Sequence, residues 1–384
     1  MSRARLLVPL MAIAALGVIP PAAQAGPYAR AKAALQREAN RLLAMPTGPP
    51  AISITLQRGR RKVYIDGGRA VLGTQRRWRS TDHMRLASVS KAYNGAVALR
   101  LVERGQLRLS DTIGQRVPSL PSAWHGVTLR QLLNHTSGLP NYTTDPDLQA
   151  FLHRDPHGFV ASDRILAFVR DKPLEFPPGS RYAYSNSDNI AIGLMAQSAT
   201  GRSYERLLRR LVYQPLGLRR TSLPSTFRLP RPYVHGYDVR PGQPREDIST
   251  ALNMSFVWAA GAIQSTPLEL NRFIRAYGAT KLLGPRARRQ QRSWVRGGNS
   301  EPPGPGRASA GLALFQYRLK CGTVHGHTGN FPGYTNFAAV TPGGTRSVTV
   351  SVNSQLSLEE GDPAVFRRLR QIYGLASCAA LVRR

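Results

Sequence analysis

Ser88 and Lys91 stand three positions apart in Ser88-Val89-Ser90-Lys91, where the residue pattern predicts a helix running to about Arg104. Positions i and i+3 share one helix face, so the Lys91 amine can reach the Ser88 oxygen within a single turn. A serine hydroxyl is a poor nucleophile until a base takes its proton. A lysine can be that base where burial depresses its pKa. A helix N-terminus adds outward-pointing N–H groups that favour negative charge developing at the reacting oxygen. Of the six lysines, Lys91 alone has serine three residues before it. Taken by themselves, the four residues read better as an ordinary capped helix.

Two further stretches carry groups suited to acyl transfer. Tyr184-Ser185-Asn186 offers a phenol that can shuttle a proton beside a cationic lysine, and an amide that can donate and accept toward a substrate. Tyr334-Thr335-Asn336 repeats the pattern but falls in a predicted late strand, where an aromatic belongs to the core. Tyr182 is expected to pack. The third stretch, Gly326-His327-Thr328-Gly329, lies between predicted strands. There His327 and Thr328 can meet a substrate carboxylate or acyl group, and Gly329 lets backbone approach closely. An edge strand at this point could pair with an extended substrate.

These pieces need a scaffold. Residues 28–44 show helical periodicity, and Pro46 to Pro50 ends that helix. Strands are predicted at Ala51–Gln57 and Lys62–Asp66, with the basic turn Arg58-Gly59-Arg60-Arg61 between them. The middle of the chain is mostly helix and Pro/Gly loop. Gln264-Ser265-Thr266-Pro267 opens a further helix through about Tyr277. Residues 283–309, rich in Pro, Gly and Arg, are expected to form a mobile surface loop. Strands follow at 311–318, 322–328, 334–340 and 346–353, and a last helix at about 358–375. The pattern predicts an α/β (α+β) fold. A mainly antiparallel sheet built from both chain ends is flanked by helices, with an all-helical domain inserted. Its boundaries are an α/β lobe over about 26–95 and 265–384 and a helical lobe over about 96–264.

Residues 1–25 read as a secretory signal peptide: Arg3 and Arg5 precede an apolar run from Leu6 to Val18, and Ala23-Gln24-Ala25 precedes cleavage before Gly26. Pro9, Pro20 and Pro21 argue against a membrane anchor. The protein is therefore expected to be secreted. In that compartment Cys321 and Cys378, the two cysteines, could pair or could remain two buried thiols. Charge is lopsided: 53 Lys and Arg against 21 acids give +32, or +30 once Arg3 and Arg5 are removed. Such a field draws polyanions. Outside a cell these would be anionic wall polymers or lipid head groups, or the arginines are simply solvated cations with no partner; the scattered cations form no nucleic-acid module.

Taken together, Ser88-x-x-Lys91, Tyr184-Ser185-Asn186 and His327-Thr328-Gly329 resemble the motif set of the serine β-lactamase and penicillin-binding family, whose third motif is commonly Lys-Thr-Gly. The variants here resemble those of class C β-lactamases and secreted actinomycete-type D-alanyl-D-alanine carboxypeptidases. Leu132 to Leu139, Pro178-Gly179 and Ala260 to Thr266 also resemble family segments. The resemblance implies acyl transfer through Ser88, with Lys91 and Tyr184 as catalytic partners. Asn186, His327, Thr328, Gly329 and Asn330 would bind substrate, and the N–H groups of Ser88 and Asn330 would form the oxyanion hole. It implies a Cys321–Cys378 disulfide, a structural role for His135, and no cofactor or metal. The substrate implied is a peptidoglycan peptide ending in D-Ala-D-Ala. A β-lactam or small ester is the alternative, and a non-catalytic wall-binding protein the remaining one. One departure bears on substrate. Those carboxypeptidases carry arginine on the strand before the first cysteine, and here Leu314-Phe315-Gln316-Tyr317-Arg318 leaves Arg318 as the candidate.

Overall fold

The computed structural model describes residues 27–279, 282–359 and 361–381. The expected signal peptide, 1–25, lies outside the described residues. The chain begins with helix α1 (Pro27–Leu43) and a hairpin of β1 (Ala51–Arg58) and β2 (Arg61–Gly68). Helices α2 (Ser90–Glu103), α3 (Asn186–Thr200) and α4 (Pro267–Gly278) follow among shorter helical turns. Strands β3 (Val295–Arg296), β4 (Arg307–Ala310), β5 (Phe315–Leu319), β6 (Gly322–Phe331), β7 (Tyr334–Val340) and β8 (Arg346–Val352) precede the final helix α5 (Pro363–Leu381). The eight strands form one antiparallel sheet in the order β2-β1-β8-β7-β6-β5-β4-β3. Pairing of β1 with β8, Ile52 opposite Val352, joins the two ends of the chain as expected.

Alternation along the central strands explains how the sheet is covered. Ile52, Ile54 and Leu56 of β1 and Val348, Val350 and Val352 of β8 face α1 and α5, in one buried cluster with Leu35, Phe366 and Leu369. The intervening Ser53, Thr55, Ser347, Thr349 and Ser351 point to the other face. That face is also buried, because α4 packs there and Asn271 of α4 accepts from Ser347 at 3.0 Å. A second cluster unites α2, α3, α4 and the helical middle of the chain. The catalytic candidates lie between this cluster and β6.

Two expectations need correction. Residues 283–309 do not form a mobile loop: Pro285 starts a short helix to Gln291, and β3 and β4 extend the sheet. The Pro and Gly residues fit turns between these elements. The last helix starts at Pro363, where Asp362 accepts from the Ala364 N–H at 2.7 Å, and runs past 375 to Leu381. Cys321 and Cys378 form a disulfide between the β5–β6 turn and α5, with Cα atoms 5.6 Å apart. Closing so long a loop contributes about 4 kcal/mol in the chain-entropy view.

Candidate active site

Ser88 is placed by a short, tightly fastened turn. Met84-Arg85 ladders with Gln264-Ser265, and the Leu86 N–H donates to Ile263 O at 2.9 Å. Ala87 then adopts φ +52°, a left-handed conformation costly for a residue with a Cβ. The chain turns sharply there and presents Ser88, half-buried between buried neighbours, two residues before α2 proper. Ser90 fixes the turn from behind by accepting from the Ile263 N–H at 3.1 Å.

Lys91, one turn on, is 1% exposed, and its Nζ touches three oxygens. These are Ser88 Oγ at 3.0 Å, Asn186 Oδ1 at 2.7 Å and the Ala260 carbonyl at 2.8 Å. The two carbonyl oxygens can only accept, whereas the serine hydroxyl can do either. A neutral amine therefore spends its two N–H groups on Asn186 and Ala260 and aims its lone pair at Ser88. Burial lowers the Lys91 pKa to about 7, against opposition from the carboxyls of Glu301 and Asp188. Near neutral pH a large fraction is thus the free amine, as a base requires.

The register between α2 and α3 holds this contact. Asn94, three residues after Lys91, donates to the Asn189 carbonyl at 2.9 Å and to Asn189 Oδ1 at 3.1 Å. Asn189 is itself three residues after Asn186, so the two pairs lie side by side on facing helices. Asn186 has its acceptor on Lys91 and its donors on Thr143 at 2.9 Å and Asn141 at 3.3 Å. Its amide positions Lys91, where the sequence suggested a direct substrate contact.

Tyr184 lies against Lys91, with Nζ 5.0 Å from the ring centroid. Its buried hydroxyl faces Ser88 without a completed hydrogen bond. Burial drives its pKa well above the ordinary phenol value, so it keeps its proton at neutral pH. Of the two, Lys91 is the group able to accept a proton and Tyr184 the one able to hand one on. Under Tyr184 lies His135, ring centroids 4.6 Å apart, whose Nδ1 is 2.7 Å from Asp188 Oδ2. Ser137 donates to the other Asp188 oxygen. Burial and the nearby Lys91 charge keep His135 neutral, with a pKa of about 3. His135 is thus a support for Tyr184. The 134–138 segment also grips the tyrosine loop, since the Ala183 N–H donates to His135 O at 3.0 Å and the Gly179 N–H to Thr136 O at 2.7 Å. Tyr182 packs edge-on to His135 as expected. Asp188 was not singled out in the sequence; its place in the first turn of α3 was the available signal.

β6 closes the opposite side. A Cβ on Gly329 would lie 2.4 Å from Leu86 O and 3.0 Å from Ser88 N, so only glycine lets the strand come this close to the Ser88 amide. His327, two residues earlier, points to the same face. It is fully buried, with a pKa lowered to about 3 chiefly by burial, and its Nε2 has no hydrogen-bond partner. Thr328 points the other way and donates to the Pro302 carbonyl at 2.5 Å. The Asn330 side chain is itself engaged, accepting from Thr335 at 2.7 Å and from the Leu356 N–H at 3.1 Å. Tyr334 is core, as expected, its hydroxyl on Val234 O at 2.8 Å. β5 pairs with β6 only to Gly326, so the edge from His327 to Phe331 has no neighbouring strand among the described residues. Arg318 pairs opposite Thr323 and is exposed. Five residues from Thr328 along a strand is about 17 Å, so Arg318 does not reach the site.

The Beta-lactamase family model matches residues 44–371. Penicillin-binding protein 4* of Bacillus subtilis is 27% identical over 281 residues, which cover 70% of this chain and 60% of that protein. The chain thus spans about 60% of that relative's length. Among solved structures, a D-stereospecific amidohydrolase from Streptomyces sp. is similar with a TM-score of 0.76 at 28% identity, covering 88% of this chain and 98% of the other. A D-amino acid amidase from Ochrobactrum anthropi gives 0.78 over 91% and 99% of the two chains, at 22% identity, a likeness of fold alone.

Proposed function

The chain belongs to the Beta-lactamase family, and from that premise we propose that it is a serine amidohydrolase that cleaves amide or peptide bonds through an acyl-enzyme on Ser88. The observation that carries this reading is Lys91 Nζ held between Ser88 Oγ and two carbonyl oxygens. Lys91 accepts the Ser88 proton as the oxygen attacks the substrate carbonyl. The N–H groups of Ser88 and Asn330 receive the developing oxyanion. As the C–N bond breaks, the proton passes through Tyr184 to the leaving nitrogen. Water then attacks the ester, yielding its proton to Lys91, which passes it to the departing Ser88 oxygen and so restores both groups.

A D-configured substrate is proposed from the likeness to the Streptomyces amidohydrolase. Among such substrates the site favours an amide or a peptide with a free amino end over a peptide ending in D-Ala-D-Ala. A terminal carboxylate needs a cation, and Arg318 is out of reach while His327 is neutral. The reading includes export with removal of residues 1–25 and a two-lobed division at about 96 and 264. The Cys321–Cys378 disulfide supports export, because disulfides persist in oxidising compartments. Turnover of a D-amino acid amide, a D-Ala-D-Ala peptide, a β-lactam and an aryl ester, measured in parallel, tests the substrate assignment. Highest kcat/KM on the amide is expected. Exclusive action on the D-Ala-D-Ala peptide restores the carboxypeptidase reading, and action only on the lactam or the ester moves the enzyme to those branches.

A further inference from the structure

Between β3 and β4 the chain runs as a strap, Gly298 to Pro302, from the tyrosine loop to β6. It is fastened at both ends and in the middle. Tyr182 donates to the Asn299 carbonyl, Ser300 Oγ lies 2.7 Å from the Tyr317 hydroxyl, and Thr328 donates to the Pro302 carbonyl at 2.5 Å. A Cβ on Gly298 would sit 2.8 Å from the Tyr182 ring, so the strap rests directly on the tyrosine loop. Ser300 and Pro302 are buried, and Glu301 between them is exposed. In a chain carrying 53 Lys and Arg, Glu301 makes no hydrogen bond or ion pair among the described residues. The bonds of Asn299 to Tyr182 and of Pro302 to Thr328 set Glu301 between the tyrosine loop and β6, and its charge opposes the lowering of the Lys91 pKa.

We propose that Glu301 is the binding group for a positively charged ammonium on the substrate, so that the natural substrate carries a free amino group near the scissile bond. This rests on Ser88 being the nucleophile. The reactive form of the enzyme has Lys91 as the neutral amine, and His327 and His135 are neutral. In that form none of Lys91, His327 and His135 carries a charge that balances Glu301. A substrate ammonium supplies it through a charge-assisted hydrogen bond. A substrate carboxylate at the same place meets like charge. Below the strap, Tyr184 Oη and His327 Nε2 are buried and unpartnered, as polar groups awaiting a ligand.

A matched pair of aryl esters, one of D-alanine with its amine free and one with that amine acetylated, tests this. An activated ester reports on the subsite whatever bond is cleaved in nature. At pH 7 the α-amino group is largely protonated. The native enzyme is expected to favour the free amine by about tenfold or more in kcat/KM, and Glu301→Gln to lose most of that preference while remaining folded. Removing the Glu301 charge also alters Lys91, but equally for both esters, so their ratio isolates binding. Equal turnover of the two esters by the native enzyme, or an unchanged ratio in Glu301→Gln, overturns the inference and leaves the Ser88 mechanism standing. Turnover of neither ester overturns both.

Discussion

The helix side of the cleft and the strand side are built on opposite terms. On the helix side Lys91, Asn186, His135 and Asp188 are all tied into hydrogen bonds, and Asn94 with Asn189 locks the two helices that carry them. On the strand side, among the described residues, His327 Nε2 has no partner, the β5-side edge beyond Gly326 has no neighbouring strand, and Glu301 is unpaired on its strap. The helix wall has spent most of these groups on pre-organisation, Tyr184 Oη beside Ser88 being an exception, whereas on the strand wall His327 Nε2 and Glu301 remain open to a ligand. Proton transfer requires groups fixed within hydrogen-bond reach, whereas recognition requires unmet valence. The contrast assigns chemistry to α2 and α3, and selectivity to β6 and the strap.

Substitutions on the two sides should therefore fail differently. The largest effect is expected at Lys91. Lys91→Ala should lower acylation by about 10²–10⁴-fold, the usual contribution of a positioned base. The native acylation rate should rise as pH increases through about 7, because the pKa is lowered and only the deprotonated amine can accept the Ser88 proton. The variant should lose that rise. Stopped-flow acylation across pH 5–9, a range set by the reference pKa scale, measures both.

Next comes Gly329→Ala, where strand and serine turn meet. The added Cβ forces β6 away from Leu86 and Ser88. Disturbing the oxyanion donors costs roughly 10²–10³-fold in kcat, with KM less affected. A drop in KM-dependent binding alone would place that contact on the recognition side. The smallest effect is expected for Thr328→Val, which frees Pro302 and loosens the strap. Turnover of a small neutral ester should change by no more than about threefold, within the worth of one neutral hydrogen bond. Selectivity between the charged and neutral esters should fall. Equal losses on both esters would mean that the strap supports catalysis itself.

How much of this was readable in the sequence follows the same divide. Ser88 and Lys91 were legible because their contact is local, set by the i,i+3 geometry of one helical turn. Gly329 was legible as a point of close approach. The central strands were legible from their alternation, and the disulfide from the even cysteine count and the family likeness. Contacts made across the chain were not. Nothing in the spacing of Asn94 and Asn189, 95 residues apart, signals that they fasten two helices. Asp188 reads as an ordinary first-turn acid until His135 is placed against it. The 283–309 segment misled, because Pro and Gly mark tight turns as readily as looseness, and Glu301 lies within it. Asn186 was recognised as a residue of the site, but its partner could not be known without the fold.

The central claim is that Ser88 is acylated, with Lys91 as its base. Peptide mapping by mass after brief incubation with an acylating probe at pH 8, above the Lys91 pKa of about 7, tests it most directly. The account predicts one adduct, on the peptide containing Ser88, and none in a folded Ser88→Ala protein. An adduct that persists in Ser88→Ala, or that maps to another residue of the native enzyme, would contradict it.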